Sequence, residues 1–369
     1  MIPMLQLPRV QFDFGAVKVL PDELAALGVG RPLLLTDKGL AASDVFGRVR
    51  AALGNRTDAA VFDAVPENPT VDGVARALAL YRAERCDGVV AVGGGSVIDS
   101  AKAVALLATH PGSIEDYFGR PEKVTAAVAP LVAIPTTAGT GSEASRGAGI
   151  HPTATARSRS IGSPYLVPKV AICDPELTIG LPPRLTAGTG MDALTHCIEG
   201  YLSVFVSPPV DAVALGGVRR VVAHVERAVN DGKDRDARWQ MMMAALEGGI
   251  SLSKGAGPAH AIANTLGDRG LHHGTLVTLC MPAVLRALEP HAGEKMRQLA
   301  DAMGARNAAN AVEALSRKVG LPANIKALGY PAGDLDEMAE DAAQSFFNLR
   351  SPYRPTTAEY KDMISEIIG

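Results

Sequence analysis

The chain has 369 residues, of which 47% are hydrophobic and 20% charged; that is apolar material for two packed cores and excludes disorder as the main state. A net charge of −3 with no basic run argues against a nucleic-acid partner. The most apolar stretch, residues 126–134, contains Pro130 and is too short to span a bilayer, and the opening MIPMLQLPRVQFDFG is not laid out like a signal peptide, so no membrane contact is expected.

From the N-terminus, roughly the first 180 residues alternate short β runs with amphipathic helices, the pattern of parallel βαβ units. Strands are expected over residues 32–36, 87–92, 131–134 and 169–174. Gly94-Gly95-Ser96 breaks the second of these, and VIDSAKAVALLA follows with helical periodicity. Pro175 and the Pro182-Pro183 pair mark a boundary. Beyond it the texture turns to Ala- and Met-rich helices, expected over 210–229, 238–252, 283–288, 296–303 and 309–319. The expected division is an α/β domain over 1–180 and an all-α domain over 181–369. Cys86, Cys173, Cys197 and Cys280 stand singly, as free thiols of a reducing cytoplasm would.

Two ionisable pairs carry the chemistry. Asp192 and His196 are spaced i, i+4 and share one helix face, and His260 and His273 follow about sixty residues later. One carboxylate and three imidazoles suit Fe²⁺ or Zn²⁺ better than Ca²⁺ or Mg²⁺, and leave room for a substrate oxygen. Cys197 follows His196 but points about 100° away on a helix. His110, His151, His224 and His291 lie outside any motif and read as ordinary surface or cap residues. Glu143 is expected to make structural hydrogen bonds, and Glu199 to sit exposed on a helix surface.

Gly93-Gly94-Gly95-Ser96 follows a strand and opens a helix, where glycines let a phosphate approach backbone N–H donors. Ser96 is placed to cap that helix or bond a phosphate oxygen. The run is not G-x-G-x-x-G, and a plain glycine-rich turn remains the alternative. Lys102, further along, reads equally well as a solvated surface lysine. The loop after the third strand, residues 135–143, carries four hydroxyls and two glycines, more than a structural turn needs, which favours ligand contact. Asp37 ends an early strand; it can hold a ribose diol and favour NAD over NADP, or cap the next helix.

GGGSVIDSAKA, IPTTAGTGSEAS, DPELTIGLP, GMDALTHCIEGYLS, GPAHAIANTLG and HHGTLVTLCMP occur in this order. With them the chain resembles the iron-containing, group III alcohol dehydrogenases over nearly its whole length. The resemblance implies a dinucleotide-binding α/β domain and an all-α metal-binding domain, the dehydroquinate synthase-like fold, with an active cleft between them. It implies Asp192, His196, His260 and His273 as ligands of Fe²⁺ or Zn²⁺, and Gly94, Gly95 and Ser96 as the pyrophosphate loop. Thr136, Thr137 and Ser142 match hydroxyls around the adenine and nicotinamide ends, Asp37 the ribose carboxylate of NAD-preferring members, and Asn68 a further cofactor contact.

Three departures stand out. Asn264 occupies the place of a histidine thought to assist proton movement. The stretch between His260 and His273 looks one residue short, which makes His272 a competitor for the fourth ligand and a candidate for the proton path. A lysine expected after TGSEAS is missing, with Arg157 and Arg159 nearby. The implied activity is NAD(P)-dependent oxidation of a small alcohol, or reduction of its aldehyde, by a cytoplasmic homodimer, ω-hydroxy acids being one substrate class. Arg146, Arg157 and Arg269 are candidate anchors for an acidic substrate group, or plain surface charges. The alternatives are a metal-free reductase of the maleylacetate type and a non-catalytic NAD-binding protein.

Overall fold

The computed structural model describes residues 6–54, 59–154, 156–266, 272–329 and 334–369. The chain forms two compact units. One runs to Thr137 and resumes over Ser142–Ile179; the other holds Ala138–Gly141 and Gly180–Gly369.

The first unit contains β1 (Arg9–Phe12), β2 (Pro32–Leu35), β3 (Ala60–Phe62), β4 (Gly88–Gly93), β5 (Leu131–Pro135), β6 (Gly147–Ile150), β7 (Arg159–Gly162) and β8 (Val170–Cys173). Six strands form one parallel sheet in the order β1-β8-β5-β4-β2-β3, and β6 and β7 form a separate antiparallel pair. The helices are α1 (Leu20–Ala26), α2 (Lys38–Ala41), α3 (Asp44–Ala52), α4 (Val71–Ala83) and α5 (Gly95–Leu107). β4 is buried along its whole length, as its unbroken apolar run predicts for a central parallel strand. Its side chains alternate: Val89 and Ala91 join the core that holds Ala101 and Val104 of α5, while Val90 and Val92 join the core that holds Leu20 and Val49. The chain passes from β2 out to β3 and returns to β4 on the other side of β2. That reversal puts a topological switch point between β2 and β4, the place where open α/β sheets bind ligands beyond the strands' carboxyl ends.

The second unit contains α6 (Pro183–Leu202), α7 (Pro208–Asn230), α8 (Arg235–Ser251), α9 (Pro258–Leu266), α10 (His273–Ala302), α11 (Ala308–Lys318), α12 (Leu335–Gln344) and α13 (Thr357–Ile368). α6 starts at Pro183, where the missing N–H costs nothing, and every residue from Thr186 to Leu202 is buried. It packs against α7, α8 and α10 and is the central helix of this unit. The two segments expected at 283–288 and 296–303 belong to α10, which bends at Gly293 (φ 48°, ψ −119°). Among the described residues no helix is long and apolar enough to cross a membrane.

Candidate metal and dinucleotide sites

α6 carries Asp192 and His196, α9 carries His260, and His273 is the first residue of α10. α6 and α10 approach so closely that a Cβ on Gly274 would stand 2.3 Å from the carbonyl oxygen of Gly188. This contact needs glycine on both helices, and it delivers His273 to Asp192. One ligand atom each from Asp192, His260 and His273 lies within 4.8 Å of the others. His196 stands beside this trio. Its Nε2 is 3.6 Å from Asp192 Oδ1, and its ring stacks on His260 with centroids 4.9 Å apart. His272 takes the N-cap position of α10 instead, with Nδ1 3.5 Å from Thr275 Oγ1.

Three polar atoms in this cluster are buried without a hydrogen-bond partner: Asp192 Oδ1, His196 Nδ1 and His260 Nε2. Orphaned buried polar atoms are costly, and two of these belong to residues of the Asp192–His260–His273 trio, where one shared partner would satisfy them. Burial, and next the charge of His260, push the His196 pKa down to about 3. Desolvation and the neighbouring imidazoles push His273 down to about 4, although its side chain reaches solvent. Burial opposes charge on His260 too, but the charge and hydrogen bond of Glu199 raise its pKa overall. Neutral imidazoles beside a carboxylate are the form in which a divalent ion is held. The donor set therefore fits a transition ion. Phe347 closes in on His260, ring centroids 5.8 Å apart.

Glu199 corrects the sequence reading. It is buried, not exposed, because α6 is enclosed on every side. Its carboxylate accepts from His260 Nδ1 at 2.6 Å and from the Gly257 and Ala259 amides at 2.7 Å each. The signal was present: 192, 196 and 199 lie on one helical stripe. Phe347, far away in sequence, gave none. Asn264 is half-buried on α9, one turn after His260.

In the sheet unit, the loops after β2, β4 and β5 bring most of the expected cofactor residues to one edge. Asp37 follows β2 and caps α2, its Oδ1 accepting from Leu40 N at 2.9 Å. Gly94, not Ser96, is the N-cap of α5. Ser96 lies in the helix's first turn and donates to the Glu67 carbonyl, which ties the turn of half-buried Asn68 to the glycine loop. Gly95 opens the helix. A Cβ on Gly94 would touch the Thr137 side chain at 3.4 Å, and Thr136 N donates to Gly93 O at 3.1 Å.

Ser142 is drawn inward. Its hydroxyl donates to Asp99 Oδ1 at 2.6 Å and accepts from Lys102 Nζ at 2.9 Å. Lys102 is fully buried rather than solvated, because α5 is covered on all sides; its ammonium also bonds Ser145 and Gly147 O. Burial lowers its pKa to about 8. Glu143 is buried; its carboxylate accepts from its own backbone N–H, while Oε1 has no partner. His110 and His151 are buried, not superficial, each held by backbone: His110 Nε2 accepts from Thr125 N, and His151 N donates to Pro69 O. Arg146, Arg157 and Arg159 are all exposed, Arg159 with its guanidinium over the Phe118 ring. Arg269 lies outside the described residues.

A family profile described as iron-containing alcohol dehydrogenase matches residues 8–175, and one described as the C-terminal part of the Fe-containing alcohol dehydrogenase family matches residues 186–368. The chain is 42% identical to 4-hydroxybutyrate dehydrogenase of Cupriavidus necator over 98% of both chains. It superposes on a 1,3-propanediol oxidoreductase crystal structure with a TM-score of 0.95 at 34% identity, over all of both chains. A sulfoacetaldehyde reductase from Bifidobacterium kashiwanohense, solved with NAD⁺, matches at a TM-score of 0.89 and 27% identity, over 100% of this chain and 99% of that one.

Proposed function

The chain belongs to the iron-containing alcohol dehydrogenase family, and on that premise we propose that this oxidoreductase interconverts a short ω-substituted primary alcohol and its aldehyde, using NAD and one Fe²⁺ or Zn²⁺. The observation that supports the metal reading is the trio Asp192, His260 and His273, with orphaned atoms on Asp192 and His260 and with His196 stacked alongside. These four residues would hold the ion. When bound, the ion supplies Lewis acidity toward the substrate oxygen and the nicotinamide exchanges hydride with the carbinol carbon.

The chain's own residues do the rest. Backbone N–H groups at Gly94 and Gly95, with the N-terminus of α5, receive the pyrophosphate. Asp37 bonds the ribose diol and repels a 2′-phosphate, which favours NAD. Asn68, Thr136 and Thr137 contact the cofactor, while Ser142 holds its loop through Asp99 and Lys102. Asn264 orients the substrate hydroxyl, and His272 passes its proton onward. Phe347 limits water beside His260. The relatives named for 4-hydroxybutyrate, 1,3-propanediol and sulfoacetaldehyde share a short chain with a polar far end, and this supports the substrate class.

The test is metal content after purification, together with NADH formation from 4-hydroxybutyrate, 1,3-propanediol, isethionate and ethanol. The reading expects about one ion per chain and a preference for the ω-substituted alcohols. A metal-free protein with full turnover, or a best rate on ethanol, would overturn the corresponding half of it.

A further inference from the structure

We infer that Glu199 is a positioning residue for the metal site: it locks His260 in the tautomer that leaves Nε2 as the ligand atom. The inference rests on the metal reading above.

Glu199 is only 5% exposed and sits one turn after His196 on α6. Its Oε2 takes His260 Nδ1 at 2.6 Å and Gly257 N at 2.7 Å; its Oε1 takes Ala259 N at 2.7 Å. An ionised carboxylate only accepts, so Nδ1 carries the proton. Nε2 is then the lone-pair atom, and Nε2 is the ring nitrogen left buried without a partner. The two amides belong to the turn that starts α9, so one side chain fixes both the ring and the backbone on which it rides. Space is tight as well: a Cβ on Gly257 would meet Glu199 Oε1 at 3.0 Å. Capping alone would be satisfied by the two amides. The third bond, to the ring, is what a metal ligand needs for orientation and basicity.

Glu199→Gln separates these jobs. With its oxygen in the Oε2 position, the amide keeps Gly257 and His260 but turns N–H donors toward Ala259 N–H. Rotated the other way, it faces His260 with a donor, moves the ring proton to Nε2 and blocks the ligand atom. Either arrangement weakens the cage.

The dissociation constant for Zn²⁺ is measured by chelator competition in wild type, Glu199→Gln and His260→Ala, with thermal midpoints of the metal-free forms. We expect Glu199→Gln to bind Zn²⁺ roughly 10- to 100-fold more weakly than wild type, and His260→Ala more weakly still. Unchanged Zn²⁺ affinity in Glu199→Gln overturns the inference and leaves a helix cap. Absence of stoichiometric Zn²⁺ binding by wild type sinks the metal reading instead. A second measurement needs no variant: long-range ¹H–¹⁵N spectra of ring-labelled wild type should keep the proton on His260 Nδ1 and shift Nε2 when Zn²⁺ is added. A shift confined to Nδ1 rejects the proposal.

Discussion

Gly274 leaves no room for a side chain against α6: its Cβ would lie 2.3 Å from Gly188 O and 3.0 Å from Asp192 Cβ. Gly274→Ala therefore has to push α10 off α6, and His273 moves with it. Alanine is the better helix former by about 1 kcal/mol, but overpacking a close backbone contact costs typically about 1–3 kcal/mol. We predict net destabilisation in urea, with reduced metal content. A variant at least as stable as wild type that retains its metal would show slack in this contact.

Asp37 both caps α2 and stands beyond β2 at the switch point. Asp37→Ser preserves a good cap and removes the charge, whereas Asp37→Gly loses only a few tenths of a kcal/mol of capping. Both should raise the ratio of kcat/KM for NADP over NAD by about tenfold, the size of one hydrogen bond's worth of free energy plus relieved repulsion. Equal ratios in wild type and Asp37→Ser would reduce Asp37 to its capping role.

Glu143 gives stability a pH slope. Burial pushes its pKa up to about 7 from 4.5. The folded state thus holds the proton more tightly than the unfolded chain does. Its favourable contribution is full below about pH 4.5 and is lost as pH rises through 7, where an ionised carboxylate is trapped inside. A pKa difference of about 2.5 corresponds to on the order of 3 kcal/mol. Glu143→Gln should flatten that slope: near wild-type stability at pH 5, greater stability than wild type at pH 7.5. Lys102, lowered to about 8, changes the balance mainly above this window, since the unfolded chain then binds more protons. Parallel urea midpoints for both proteins across pH 5 to 7.5 would count against an ionising Glu143.

How much of this was legible depended on burial. β2, β4, β5 and β8 are covered on both faces, so each is a short unbroken apolar run that sequence exposes directly. β1 and β3 are short, half-exposed edge strands: RVQF is half polar, and AVF is only three residues long, too little apolar pattern to stand out. Asp192 and His196 meet through helix periodicity alone. Their meeting with His260 and His273 depends on α9 and on the glycine contact between α6 and α10, which no local pattern states. Lys102 and Glu199 were misplaced for one reason: charged residues usually mark a helix's wet face, but α5 and α6 are enclosed.

Asn264 lies one turn beyond His260 on α9, so a histidine there would share the His260 face. An amide cannot titrate, and His272, at the head of α10 beside Thr275, is the histidine we assign to the proton path. If proton release limits turnover, Asn264→His should raise the rate near neutral pH and add an ionisation near ~6.5 to the kcat profile. His272→Ala should slow the native enzyme, and Asn264→His should partly restore that loss. The double variant matters most, because a group that merely shapes the pocket has no means of rescuing its neighbour. Steady-state profiles from pH 5.5 to 9 for the four proteins decide the matter. Superimposable profiles, with no rescue, would assign proton release to solvent and leave Asn264 to orient the substrate.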